Sequence, residues 1–374
     1  MRIVITGGGT GGHINPAIAI AEGLRQLWPT AQFLYVGSVG GMEEKIVPNH
    51  QLPYRSIRVM GIDRRLFRLQ SIGYNLRAVK AYFQGRRQAM DLMKEFSPDL
   101  VVATGGYVSA PVLQAAKRIG AKTVIHESNA FPGVTTRMLA KKMDLVLGAV
   151  EATRARLDDN TRFVVTGNPV REEFLFLNRK EARKKLNIPE DAFLVLSSGG
   201  SLGATQVNLA VAELLKSAIS KERRYHIHAT GKNSKGFFDA LEGTGVGDQP
   251  DRLRIFPYIH NMPDCFAAAD LVISRSGAMS LAEIQCGGKA SILIPSPNVT
   301  ENHQYFNAKV LSDANAAILL EEKDLTGEGL VRLVEGLEED LPRCEELGKN
   351  ARKLAIFDAN QRICEEIRKL MEEN

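Results

Sequence analysis

Residues 2–24 read RIVITGGGTGGHINPAIAIAEGL, and residues 193–215 read FLVLSSGGSLGATQVNLAVAELL. Each opens with a short run of branched apolar residues, passes through a glycine-rich turn, and continues with apolar residues at helical spacing. Strand, glycine turn and helix together form the opening unit of a doubly wound parallel sheet. The same grammar about 190 residues later predicts two such sheets, each with its own start, rather than one long one.

The surrounding sequence keeps this rhythm. RIVIT, QFLYVG, DLVVAT, KTVIHE and DLVLGA read as buried parallel strands alternating with helices, and FLVLSS, RYHIHAT, RLRIFPY, DLVISR and ASILIP form a second series. The fold class is therefore α/β, with two Rossmann-like doubly wound domains. A chain of 374 residues suits two domains, and 44% hydrophobic with 24% charged residues is the composition of a globular protein. Gly167, Asn168 and Pro169 interrupt the pattern in VVTGNPVREEF. The expected division is 1–165, 166–350 and a charged C-terminal helix, 351–374, able to fold back across the join.

No apolar run approaches the roughly 18 to 20 residues of a membrane span. The opening strand lacks the apolar stretch and cleavage site of a secretion signal, so a cytoplasmic address is expected. Cys265, Cys286, Cys344 and Cys364 form no CxxC pair and read as buried free thiols. The formal charge of +5 is unevenly spread: Arg58, Arg64, Arg65, Arg68, Arg77, Lys80, Arg86 and Arg87 face only Asp63 within residues 58–87. Such a patch predicts an anionic partner.

Glycine recurs at four predicted strand ends: Gly7 to Gly12, Gly105 and Gly106, Gly199 to Gly203, and Gly277. Such loops let backbone approach a ligand, and the following helix offers N–H groups to phosphate. Glycine also serves tight packing turns, so a single loop would decide little. A dinucleotide dehydrogenase wants an acid after the second strand, where this chain has Val36, Gly37 and Ser38. A P-loop kinase wants Gly-Lys-Ser/Thr, which follows none of the loops.

The segments GGGTGGHINPA, ATGGYVSAP, HESNAFPG, TGNPVR, GGSLGA, SRSGAMSLAE and ENHQYFNA occur in the order seen in the MurG family. These are the bacterial N-acetylglucosaminyltransferases that convert lipid I to lipid II in peptidoglycan synthesis. The resemblance runs from Arg2 to about Ala308, and more loosely through FDANQR. It implies a GT-B fold, two Rossmann-like domains facing a cleft, with UDP-GlcNAc mainly on the C-terminal domain and lipid I on the N-terminal one. It also implies an inverting transfer to the 4-hydroxyl of the muramoyl sugar, and the company of other cell-wall synthesis and division proteins.

Carried over by position, Thr10, Gly11 and Gly12 match the N-terminal loop that touches the donor, and Asn129 the asparagine that reaches the GlcNAc hydroxyls. Arg171 and Ser201 match residues near the nucleotide and its phosphates, and Ile259 the backbone position that reads uracil. Ala278, Met279, Ser280, Leu281, Ala282 and Glu283 match a helix start that meets the diphosphate, with Glu283 taking the ribose hydroxyls. His303 and Gln304 match the pair that recognises the donor sugar. The chain departs from the pattern at Asn15 (usually aromatic), Leu202 (usually glutamine) and Ala290 (usually proline). None of these removes a charge or a nucleophile.

Inverting transfer needs a base for the acceptor hydroxyl and a field that steadies the departing UDP. No Asp-x-Asp pair is present, so helix N-termini and Arg171 are expected to supply that field, with no obligatory protein-bound metal and no cofactor. His13 is the leading base, and Glu127 is the rival base or an orienter of the acceptor. Plainer readings stand beside these: His13 bonded to its own turn, Glu127 in an ion pair, His126 packed at a strand end, and Glu283 as an acid favoured by the helix dipole.

In RRLFRLQSIGYNLRAVKAYF, Leu69, Ile72, Leu76, Val79 and Phe83 fall at helical spacing, a stripe at least partly bound for the core. Leu66, Phe67, Arg68, Tyr74, Arg77, Lys80 and Tyr82 also fit a surface that docks on anionic phospholipid, at the cytoplasmic face of the inner membrane. Nucleic acid is not expected, since no motif for it accompanies the basic segment. Remaining rivals are another UDP-sugar enzyme, either a lipid glycosyltransferase or a UDP-GlcNAc 2-epimerase, and a nucleotide-sugar-binding protein without turnover.

Overall fold

The computed structural model describes residues 1–61 and 69–373. Backbone contacts divide the chain into two units, Met1–Pro169 with Asp358–Asn374, and Val170–Phe357. In unit 1 the strands β1 (Arg2–Thr6), β2 (Gln32–Ser38), β3 (Tyr54–Ile57), β4 (Leu100–Ala103), β5 (Lys122–Glu127), β6 (Leu145–Gly148) and β7 (Phe163–Val165) form one parallel sheet. Their order is β3-β2-β1-β4-β5-β6-β7. In unit 2, β8 (Phe193–Ser198), β9 (Arg224–Ala229), β10 (Leu253–Phe256), β11 (Leu271–Ser274), β12 (Ala290–Leu293) and β13 (Ile318–Leu319) are ordered β10-β9-β8-β11-β12-β13. Both are the doubly wound α/β sheets expected from the sequence.

Burial on both faces explains the unbroken apolar runs. Ile3 and Ile5 of β1 pack with Ile14, Ala17, Ala21 and Leu24 of the helix Gly11–Leu27, while Val4 faces Met93, Val101 and Val112. Each sheet reverses its strand order at its first strand, between β1 and β4 in unit 1 and between β8 and β11 in unit 2. Ligands of such sheets collect at that reversal, beyond the strands' carboxyl ends. All four glycine loops follow these four strands. The fold thus singles out the same four places that the sequence did.

The final helix starts at Ala359 rather than Ala351, because Ala351 to Lys353 end a separate helix, Leu341–Lys353, within unit 2. The last helix, Ala359–Glu372, buries Ile363, Ile367 and Leu370 in the unit 1 core. The four cysteines are buried free thiols, and burial pushes each of them upward, Cys265 and Cys364 to about 11.

A second correction concerns the helix Leu69–Phe96. Its inward face carries Ala78, Ala81, Gly85, Ala89 and Met93, while Leu76, Val79 and Phe83 are exposed. Leu76 is 68% and Phe83 61% accessible, so the described part of the expected core stripe faces outward. The reason is close packing. A Cβ on Gly85 would lie 2.6 Å from the Arg58 carbonyl, leaving no room for any side chain at that point of the inward face. Among the described residues, no helix is long and apolar enough to cross a membrane.

Candidate active site

In unit 1 the loops after β1 and β4 interlock. The Gly8 N–H donates to the Gly105 carbonyl at 3.3 Å, and the Thr104 hydroxyl donates to the His13 carbonyl at 2.7 Å. Gly105 and Gly106 both have positive φ (115° and 86°). A Cβ on Gly106 would fall 2.3 Å from the Gly8 carbonyl, and one on Gly105 would fall 2.8 Å from His13 Nε2. Only glycine permits this approach.

His13 sits in the first turn of the helix Gly11–Leu27, and its Nδ1 lies 3.0 Å from the Gly8 carbonyl oxygen. A carbonyl only accepts, so Nδ1 carries a proton, and in the neutral ring Nε2 keeps its lone pair. The plainer expectation, a ring bonded to its own turn, is therefore met at Nδ1, and it leaves the other nitrogen able to accept. The Thr10 hydroxyl lies 3.3 Å from the same Nδ1. Gly11 and Gly12 begin the helix.

Glu127, at the end of β5, is buried and anchors a loop. Its Oε1 accepts from the backbone N–H and the side-chain amide of Asn129, both at 3.0 Å. Its Oε2 accepts from Gly133 N–H at 2.9 Å and the Thr136 hydroxyl at 2.6 Å. Two of these four bonds hold Asn129 in place, and together they engage both carboxylate oxygens. His126 is buried and donates from Nε2 to the Gly167 carbonyl at 3.0 Å. Burial holds its basicity down.

In unit 2, Ser198 Oγ accepts from Gly200 N–H at 3.1 Å, and the Gly203 N–H closes the loop onto the Gly200 carbonyl at 2.8 Å. Ser201 and Leu202 stand exposed on it. A Cβ on Gly203 would fall 2.3 Å from the Thr230 carbonyl, which packs this loop against the turn after β9. After β11, Gly277 caps the helix Ala278–Gly287, which carries Ala278, Met279, Ser280, Leu281, Ala282 and Glu283 in its first two turns. Ile259 is buried beyond β10.

Burial pushes the Glu283 carboxyl up to about 7, against the pull of Arg171, whose Nη2 lies 3.5 Å from Glu283 Oε1. Arg171 thus stands beside the carboxylate expected to hold the ribose. His303 donates from Nδ1 to the Thr300 carbonyl at 2.7 Å, and Gln304 Oε1 accepts from Ser296 N–H at 2.8 Å. Glu301 and Asn302, directly before this pair, have positive φ (55° and 53°). Strain of this kind, at residues other than glycine, clusters at ligand sites.

The structure therefore gathers Thr10, Gly11, Gly12 and His13 with the Gly105 loop in unit 1, where Glu127 fixes Asn129. In unit 2 it pairs Arg171 with Glu283. Tyr74, Arg77, Lys80 and Tyr82 lie on the helix Leu69–Phe96, while Leu66, Phe67 and Arg68 fall outside the described residues. Among the described residues, no group of three or more His, Cys, Asp or Glu is placed to hold a metal ion.

The sequence reading passed over Glu43. It is fully buried, with Oε2 accepting from Gly9 N–H at 3.1 Å and Oε1 from the N–H and hydroxyl of Ser38 at 2.8 and 2.5 Å. Burial raises this carboxyl, but the bonds from Ser38 and Gly9 outweigh it and hold it below its usual range. The available signal was an acid five residues beyond β2, amid the glycines of GSVGGMEE, in a chain with no acid at the strand's end.

Residues 3–147 match the N-terminal domain of glycosyltransferase family 28, and residues 194–363 match its C-terminal domain. A UDP-N-acetylglucosamine--N-acetylmuramyl-(pentapeptide) pyrophosphoryl-undecaprenol N-acetylglucosamine transferase of Acetivibrio thermocellus is 41% identical over 371 residues, 99% of this chain and 98% of the relative. The enzyme of the same name from Desulforamulus reducens is 39% identical over 99% of each chain. The crystal structure of Acinetobacter baumannii MurG superposes with a TM-score of 0.76 at 28% identity, covering 98% of this chain and 99% of that one. On domain matches across most of its length and relatives near 40% identical over almost all of it, the chain belongs to glycosyltransferase family 28.

Proposed function

We propose that this glycosyltransferase moves GlcNAc from UDP-GlcNAc to the 4-hydroxyl of the muramoyl sugar of undecaprenyl-diphospho-MurNAc-pentapeptide, inverting the anomeric centre and forming lipid II. Full-length identity to transferases named for this reaction supports the substrate pair. The observation that carries the mechanism is the His13 ring, whose Nδ1 is held on the Gly8 carbonyl, which leaves Nε2 of the neutral ring able to accept a proton.

In this reading His13 Nε2 takes the proton of the acceptor hydroxyl as its oxygen attacks the anomeric carbon and the bond to UDP breaks. Glu127 is the anchor that holds Asn129 for the sugar. The departing diphosphate meets the helix start at Ala278 to Ser280 and the loop around Ser201, while Glu283 holds the ribose, Ile259 the base, and His303 with Gln304 the donor sugar. The N–H groups of that helix start and loop, with Arg171, supply the positive field without an Asp-x-Asp metal pair. The exposed Leu76, Val79 and Phe83, beside Arg77, Lys80 and Arg87, are the surface that reaches the lipid-linked substrate on an anionic bilayer.

The test follows radiolabelled GlcNAc from UDP-GlcNAc to a lipid I analogue, with and without EDTA. Wild-type protein is expected to transfer equally in both. His13→Ala is expected to lose about 10²- to 10⁴-fold in kcat while retaining its affinity for UDP-GlcNAc. Near-normal turnover in that variant would remove His13 from the chemistry.

A further inference from the structure

Glu43 and His13 are joined by a single peptide group. The Gly9 N–H, which donates to Glu43 Oε2 at 3.1 Å, and the Gly8 carbonyl, which accepts from His13 Nδ1 at 3.0 Å, belong to the same peptide bond. We propose that Glu43 is a positioning residue for His13, acting through the Gly8–Gly9 peptide so that carboxylate, peptide and imidazole form one line of hydrogen bonds.

The argument starts from the two glycines. A peptide between glycines has little steric reason to keep one orientation, and Gly9 already has a φ of 83°. Flipped, it would point its N–H at His13 Nδ1 and favour the other tautomer, in which Nε2 carries the proton and cannot act as a base. A carboxylate only accepts, so Glu43 tolerates a single orientation of that peptide. Its charge also polarises the Gly8 carbonyl towards the ring and favours the imidazolium that forms when Nε2 takes a proton. This is the job of the third group in a nucleophile–base–orienter set, carried out at one peptide's remove.

Space is cleared for that carboxylate from three sides. A Cβ on Gly8 or Gly41 would lie 2.4 Å from Glu43 Oε1, and one on Gly37 would lie 2.6 Å from Glu43 Cγ. Ser38 secures Oε1 with two bonds, leaving Oε2 for Gly9. Tyr35 adds a brace from behind, its hydroxyl donating to the Gly7 carbonyl at 2.6 Å.

The inference rests on reading His13 as the base, and its test separates the two. Full-length protein labelled with 15N-histidine is compared as wild type, Glu43→Gln and His13→Ala, at mildly alkaline pH. The His13 ring signals are assigned by their loss in His13→Ala, and kcat and KM for UDP-GlcNAc are measured in parallel. Wild type is expected to show the Nδ1–H tautomer. Glu43→Gln is expected to populate the Nε2–H form and to lose about 10- to 100-fold in kcat, with KM within about twofold.

A folded Glu43→Gln protein with the wild-type tautomer overturns the proposal, whatever its turnover. If Glu43→Gln does not fold, Ser38→Ala takes its place. That change keeps the charge but loosens the carboxylate, and a smaller tautomer shift in the same direction is expected. An unchanged tautomer in that variant overturns the proposal equally. If His13→Ala retains turnover while Glu43→Gln shifts the tautomer, the positioning stands and the base assignment falls.

Discussion

Glu283 is the residue whose protonation should be visible in binding. Burial holds its carboxyl in the acid form up to about pH 7, whereas a ribose diol donates its hydrogens best to a carboxylate. Binding the donor therefore favours the ionised form, so affinity for UDP-GlcNAc should rise as pH climbs through about 7 and a proton should be released. Calorimetry in two buffers of different ionisation enthalpy reads that proton directly. Glu283→Gln should abolish the release and weaken binding by about 1.5–3 kcal/mol, roughly 10- to 150-fold. Binding that does not change between pH 6 and 8 would remove Glu283 from the ribose. At this scale the sequence was uneven in what it disclosed. It offered His13 through the chemistry of its residue type, and Asn129 and Glu283 through the family resemblance. It did not disclose Glu43 or the partners of Glu127, because those roles depend on which backbone N–H groups the fold brings to a carboxylate.

Among the elements, the central strands were legible, and of the four edge strands only β10 was. RIVIT, KTVIHE and FLVLSS appear as read, because a strand with neighbours on both sides and helices on both faces carries a run of branched apolar residues where it crosses the core. The sequence reading missed β3, β7 and β13, each an edge strand, short and only partly buried. The helix Leu69–Phe96 teaches the opposite lesson, since its apolar spacing was real but its direction was not. Small residues earn the buried side by allowing close packing, and Leu76, Val79 and Phe83 are left outside. Replacing Leu76 and Phe83 together by serine should leave the melting temperature nearly unchanged. Each lost side chain should cost about 1.5–3 kcal/mol of bilayer affinity, read by co-sedimentation with phosphatidylglycerol vesicles. Undiminished sedimentation would mean that this face does not enter lipid.

At the scale of the molecule, unit 1 is discontinuous. Its sheet comes from residues before Pro169, yet the helix Ala359–Glu372 returns to cover the helix Gly11–Leu27. The Asn360 side chain donates to the Ala19 carbonyl at 3.1 Å, and a Cβ on Gly23 would fall 2.7 Å from Cys364 Sγ. Ile367→Ala should therefore cost about 2–5 kcal/mol, and the loss should be confined to unit 1. Hydrogen exchange checks this: amides of β1 should lose protection while those of β8 keep theirs. Equal loss in both sheets would mean that the two units unfold as one. The same returning helix also sets an order of events on the ribosome. Seven strands emerge early, but the side of their first helix at Ala19 and Gly23 has no cover until residues 359–372 leave the exit tunnel, after all of unit 2 has been made. The half of the protein synthesised first is thus the half finished last, and during that wait its uncovered face is the one a chaperone would hold.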